Sequence, residues 1–370
     1  MSDGVPLLTA SKLSVAEGTQ AYARLRARVI EAGILDRSYT YYFVLISLVV
    51  LGFCLSLTAI YWLEDFVLLT LACLGFSFFS VQVAGINHDA GHRAVFKSAR
   101  LNNLLGLFCS MLVGIVFDNW RTRHNAHHAY SNLAGVDPDL EIPLIATDEA
   151  TFAAKGDLQR FLVRHQAWYY YGLGAIVSFS NRLGSMSYFI RRRSLRDLGR
   201  FGLYLPGLVV LFVLPFALFD PLKALFVFGL VHVSSGVYLA ACFAPNHKGM
   251  PVVGAGVEMS FIEQQVVTSR NVKGGSLTDI MLVGLNWQTE HHLFPATPRN
   301  KLRRIEPLLR QTCQELGLAY TSCGFVETNK AILKQLAEVG QYARSPKSSE
   351  HSEAMMVGPR TAPKRSEASS

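Results

Sequence analysis

Eight of the eleven histidines fall in four short places. His88 and His92 bound the segment His88-Asp89-Ala90-Gly91-His92. His124, His127 and His128 lie in His124-Asn125-Ala126-His127-His128, His291 and His292 end Gln288-Thr289-Glu290-His291-His292, and His247 stands apart. On a helix, positions i, i+3 and i+4 share a face. Each segment can therefore aim two or three side chains at one point, with the Gln288 amide taking the place that His124 holds in the second segment. One metal ion rarely takes more than three or four imidazoles, so seven or eight converging rings predict two ions. His88, His92, His124, His127, His128, His291, His292 and His247 are the expected ligands, and Gln288 either joins them or holds a metal-bound water. Asp89, Asn125, Asp137, Asp139 and Glu290 are candidates for orienting the imidazole N–H groups, although each has an ordinary use as a helix or loop cap. Imidazole accepts iron, zinc, copper and nickel alike, so spacing does not choose the metal. Glu-x-x-His, the mark of carboxylate-rich di-iron bundles, does not occur.

The elements that must position these groups follow from hydropathy. The chain has 370 residues, 50% of them hydrophobic and 17% charged, with a mean hydropathy of +0.25. That composition excludes a disordered chain and argues against a soluble globule. Uncharged runs at 41–63, 66–86, 201–219 and 224–244 reach the roughly 20 residues that a membrane helix needs. Glu64 and Asp65 separate the first pair and 220–223 the second, so each pair reads as a tight hairpin. The runs 101–117 and 167–181 are short and read as re-entrant or interfacial. If the histidines form one site, 101–117 cannot cross, because crossing would put His88 and His124 on opposite faces. The expected fold is an all-α integral membrane protein with four transmembrane helices in two hairpins, interfacial helices and a cytoplasmic histidine-rich cap.

Charge sets the orientation. The net charge is +8, and the hairpin tips hold one basic residue, Lys223, leaving the other 34 Lys and Arg on the opposite side. By the positive-inside rule both termini and the long polar segments are cytoplasmic. Arg121, Arg123, Lys273, Arg299, Lys301, Arg303 and Arg304 belong to that charge, with a phosphate or an acidic electron carrier as the alternative reading. Arg191-Arg192-Arg193 reads as lipid-facing. Six cysteines without a C-x-x-C pair read as reduced packing residues. His232, alone in an apolar run, reads as a hydrogen-bonded core residue, Trp120 as packing, and His165 and His351 as non-functional. The expected organisation is an N-terminal segment over 1–40 without a cleavable signal, a membrane domain over 41–344 and a disordered tail over 345–370.

The motifs HDAGH, HNAHH and QTEHH, with the longer strings HNAHHAYSNLAGVDPDL and GLNWQTEHHLFP, resemble the membrane fatty acid desaturases over roughly 87–320. The resemblance implies a di-iron centre, dioxygen, two electrons per turnover and a long acyl chain carried on coenzyme A or a membrane lipid. Gln in the first place of the third box resembles the front-end type, which works between an existing double bond and the carboxyl end. Members with a fused b-type cytochrome carry His-Pro-Gly-Gly. Its absence implies a stand-alone form with an external donor: ferredoxin, a b-type cytochrome or a reductase. No nucleic-acid partner is expected. A methylene offers no polar handle, so positional choice must come from a narrow apolar channel. The rival readings are an acyl hydroxylase or ketolase on the same scaffold, a zinc-dependent membrane hydrolase, and a metal or haem transporter. Only His232 has the in-span position that the last would need.

Overall fold

The computed structural model describes residues 7–140, 142–192 and 195–342. The expected tail over 345–370, His351 and Arg193 lie outside the described residues.

A helix α1 (Val15–Glu31) precedes the first hairpin, α2 (Tyr39–Trp62) and α3 (Phe66–Gly91). Then come α4 (Ala99–Val113), α5 (Phe117–Ala129), two short helices α6 (Glu149–Ala153) and α7 (Asp157–Val163), and α8 (Gln166–Arg192). The second hairpin is α9 (Leu195–Leu208), a π-helical turn (Val209–Val213) and α10 (Leu214–Leu218), against α11 (Pro221–His247). The remainder is α12 (Phe261–Val267), α13 (Ser276–Met281), α14 (Gln288–Leu293), a 3-10 turn (Arg299–Arg304), α15 (Glu306–Glu315) and α16 (Phe325–Tyr342). The strands are vestigial. β1 (Leu7–Leu8) pairs in parallel with β2 (Val252–Val253), and β3 (Asn271–Lys273) with β4 (Ser322–Gly324).

Among the described residues, four segments are long and apolar enough to cross a membrane: α2, α3, Phe201–Leu218 and α11. This is an all-α integral membrane protein. The expected spans are all present, but two run further than their apolar stretches. α3 continues to Gly91 and α11 to His247, so the helices that cross the apolar layer themselves deliver His88, His92 and His247. The third span is not one regular helix. Pro206 and Pro215 lack backbone donors, and the ladder widens between them into the π turn. At the hairpin tips Lys223 Nζ reaches the Leu63 carbonyl (3.1 Å) and Glu64 Oε1 (3.0 Å), tying the two hairpins together. Between the hairpins lies an apolar core that includes Phe53, Phe76, Ile86, Val113 and Val231.

The run at 101–117 is broken by a sharp bend. α4 ends at Gly114, whose φ of +66° favours glycine, and α5 leaves at an angle of 109°. The run at 167–181 proves to be part of the 27-residue α8, packed on α11. Gly236 lets the two backbones meet, since a Cβ there would strike the Gly174 and Ala175 carbonyls. All six cysteines are free, and Cys73, Cys109, Cys242 and Cys313 are buried.

Over the histidine end of the bundle sits a cap. Leu25, Val29 and Ile34 from the N-terminal segment pack with Ile262, Val266, Leu293, Leu302, Ile305 and Leu309. A capping box at Ser14 and Glu17 starts α1. The expected N-terminal segment is thus a structural part of the cap.

Candidate metal centre

α5 presents His124, His127 and His128 on one face. The short α14 does the same with Gln288, His291 and His292, all buried. Together with His88 and His92 from the end of α3 and His247 from the end of α11, all eight expected histidines meet. They form two groups. His88, His92, His124, His128 and His291 bring ligand nitrogens within 4.8 Å of one another, and His127, His247 and His292 do likewise.

In the three-ring group each Nδ1 faces an acceptor. His127 Nδ1 lies 3.0 Å from both Asp137 oxygens, His247 Nδ1 lies 3.0 Å from the Thr268 carbonyl, and His292 Nδ1 lies 2.7 Å from Gln265 Oε1. Each Nδ1 therefore carries the proton, and each Nε2 of a neutral ring is a bare lone pair. These lone pairs point at one another: His127 to His247 at 3.3 Å, His247 to His292 at 3.1 Å. Three inward-facing imidazole nitrogens, with the Gln288 N–H beside His247 Nε2, make a donor set that fits a metal ion.

The five-ring group is held differently. The nearest Nε2 contacts are His124 to His128 (3.1 Å) and His128 to His291 (3.2 Å). His88 Nε2, His92 Nε2 and His128 Nδ1 are buried without a hydrogen-bond partner. Burial first, then the neighbouring imidazoles, pushes His92, His124, His128, His291 and His292 well below the usual imidazole range, which keeps them neutral and able to ligate. His127 is the exception. Burial opposes its charge, but the Asp137 hydrogen bond and carboxylate outweigh that and raise it.

Of the expected orienting groups, Asp137 does the work. Asp139 is too far, 3.8 Å from His127 Nδ1, and pairs with Arg123. Glu290 touches no imidazole; it accepts from Asn271 Nδ2 and the Tyr320 hydroxyl, each at 2.7 Å. Its place in the helix turns it away from the rings on either side of that face, and burial pushes it up to about 7. Asn125 is exposed on the opposite side of α5. Asp89 Oδ1 stands 3.5 Å from His88 Nδ1, while Oδ2 accepts from the Tyr42 hydroxyl (2.8 Å) and Arg299 Nε (2.6 Å). Arg299 is thus not surface charge. It is 7% exposed, and a Cβ at Gly85 would come 3.0 Å from its Nη2. Lys273 and Arg303 are exposed, and Lys301 and Arg304 bind carbonyls at the end of α1 and just beyond.

The Gln288 amide is oriented by Asn246. Asn246 Nδ2 donates to the Cys242 carbonyl and to Gln288 Oε1, both at 3.0 Å, which leaves Gln288 Nε2 2.8 Å from His247 Nε2. A nitrogen with two hydrogens cannot be a ligand, so direct coordination through the amide oxygen does not match this arrangement. Trp120 does more than fill space: it stacks on His124 (ring centroids 4.7 Å, interplanar angle 18°). Gly91 makes room for it, since a Cβ there would lie 2.6 Å from the indole. His232 is buried among Phe179, Phe212 and Phe228, with Nδ1 3.2 Å from Ser178 Oγ, and is remote from the two groups. His165 is exposed.

Residues 65–324 match the fatty acid desaturase family model. The chain belongs to the fatty acid desaturase family. A Delta(8)-fatty-acid desaturase of Euglena gracilis is 30% identical over 83% of this chain and 75% of the relative. An acyl-lipid (9-3)-desaturase of Borago officinalis is 27% identical over 90% of this chain and 77% of the relative. A Delta 8-(E)-sphingolipid desaturase of Candida albicans is 27% identical over 69% of this chain and 47% of the relative. This desaturase is accordingly an oxidoreductase of fatty acid metabolism that acts on lipid or acyl substrates. The resemblance read from the three boxes holds.

Proposed function

We propose that this desaturase inserts a double bond into a long acyl chain, using two iron ions held by the histidines, dioxygen, and two electrons from an external ferredoxin, b-type cytochrome or reductase. His88, His92, His124, His128 and His291 hold one ion, and His127, His247 and His292 the other. The observation that carries this reading is the convergence of eight imidazoles in two groups, three of them turning Nε2 inward because Nδ1 faces an acceptor. The ions, when bound, supply the redox chemistry that activates dioxygen. The acyl chain loses two hydrogens from adjacent methylenes. With two electrons and two protons, dioxygen leaves as two waters.

The protein's own residues prepare the ground for that chemistry. Asp137, the Thr268 carbonyl and Gln265 lock the tautomer of three rings. Asp89, itself neutralised by Arg299, stands behind His88. The Gln288 N–H acts on the site as a donor and not as a ligand. Phe, Leu, Val and Gly of the spans wall the acyl path. The excess of Lys and Arg on the cap side makes the termini and the site cytoplasmic. The names of the relatives favour a lipid-borne acyl chain and a front-end position, with coenzyme A as the other carrier. A hydroxylase or ketolase shares the donor set, and its product gains oxygen where an alkene loses two hydrogens.

The test is to express the chain in a host without polyunsaturated lipids, feed defined fatty acids and locate new double bonds by mass spectrometry. Substrate-dependent alkenes are expected. Oxygenated products alone, or a purified active protein free of transition metal, would overturn the reading.

A further inference from the structure

Gln265 is fully buried on α12. Its Nε2 donates to the main-chain carbonyl of His128 at 3.1 Å, and its Oε1 lies 2.7 Å from His292 Nδ1. A carbonyl only accepts, so the amide nitrogen must face His128, and the amide oxygen is left for His292. That fixes the His292 proton on Nδ1 and frees Nε2. The two contacts fall in different histidine groups: His128 belongs to the five-ring set and His292 to the three-ring set. One rigid amide therefore spans both.

Resting on the metal-centre reading above, we propose that Gln265 is the positioning residue that sets the His292 ring and holds the two ion positions in mutual register. Its counterparts differ in kind. His127 is served by a carboxylate and His247 by a backbone carbonyl. Gln265 is thus the neutral side-chain acceptor of the three, and it is the one that also binds the other group. Its own helix is fixed from the far side. Two residues earlier, the Glu263 carboxylate takes the Ser11 hydroxyl (2.5 Å) and the backbone N–H groups of Lys12 (2.7 Å) and Leu13 (3.2 Å). Ile262 and Val266 anchor α12 in the cap core. The amide is therefore held by an element with little freedom to follow a displaced ring.

The test compares wild type, Gln265→Leu and Gln265→Glu, purified whole and loaded with iron or with cobalt. The readouts are ions per chain, the rate of ion loss to a chelator, and the visible spectrum of the cobalt form. Wild type is expected to hold two ions. In Gln265→Leu one ion is expected to bind roughly 10–100-fold more weakly, with its cobalt bands altered, while the other is retained. Gln265→Glu keeps an oxygen for His292 but gives up the donor to the His128 carbonyl, so it is expected to restore the lost ion while the other ion is released faster than in wild type. Gln265→Met, which keeps the length but neither polar end, repeats the test if the leucine variant does not fold. Two ions in Gln265→Leu or Gln265→Met with native release and spectrum would overturn the proposal, as would a glutamate variant as defective as either. A wild type that binds no ion would instead sink the metal reading itself.

Discussion

His127, His247 and His292 each turn Nδ1 to a dedicated acceptor, whereas the five rings of the other group lean chiefly on one another and on Trp120. The smaller group is defined by hydrogen bonds that set proton positions. The larger is defined by helix geometry, with rings delivered by the ends of α3, α5 and α14 and one charged anchor, Asp89 with Arg299, behind His88. A site with few ligands gains most from pre-setting each one, since outer partners fix ring orientation and raise ligand basicity. A site with many ligands tolerates looser support. The two histidine groups are therefore expected to be sensitive to different kinds of damage.

The largest effect is expected from removing a ring of the smaller group. His127→Ala should abolish double-bond formation in the feeding assay, a loss beyond the roughly 100-fold that an outer partner brings. Asp137→Asn keeps the shape but exchanges one oxygen for a donor, and should weaken metal binding or activity by roughly 10–100-fold. Asp139→Asn, titrated in parallel, should stay near wild type. Equal losses in the two would erase the distinction drawn between them. On the side of the larger group, Arg299→Gln leaves the Asp89 carboxylate buried without its cation. Denaturation should show about 3–5 kcal/mol of lost stability, partly recovered in Asp89→Asn/Arg299→Gln. The smallest effect belongs to Glu290→Gln. Among the described residues its carboxylate bonds to Asn271 and Tyr320 and to no imidazole, so about 1 kcal/mol of stability should go while metal content, by elemental analysis, holds.

The convergence of the eight histidines was legible in the sequence because i, i+3 and i+4 spacing is local, and the spans because length and hydropathy are local too. What lay behind the ligands was not. Gln265 serves His128 from 137 residues away and Arg299 serves Asp89 from 210. No spacing rule relates such pairs, and a lone Gln or Arg among many gives no signal. Glu290 misled because proximity in sequence to His291 is not proximity of side chains on a helix. The full length of the helix over 167–181 was hidden because Arg182 ends its uncharged stretch. The helix continues regardless, since Arg182 is buried with hydrogen bonds to Ser178 and packing on α11 supplies what composition did not. Pro at the end of α11 would ordinarily suggest that the helix stops, yet Pro245 falls inside its last turn, and Arg270 takes up the Pro245 carbonyl.

The bond from Lys12 to Glu263 joins residues 251 positions apart. During synthesis α1 emerges before the hairpins, yet its partners on α12 and α15 come only after both have been made. α1 must wait, amphipathic and unpaired, while the whole bundle is inserted, and contacts of such long sequence separation form slowly. Closing that clasp is thus a late event in biogenesis, and Gln265, which faces His128 and His292 from the same helix as Glu263, is seated only once it has closed.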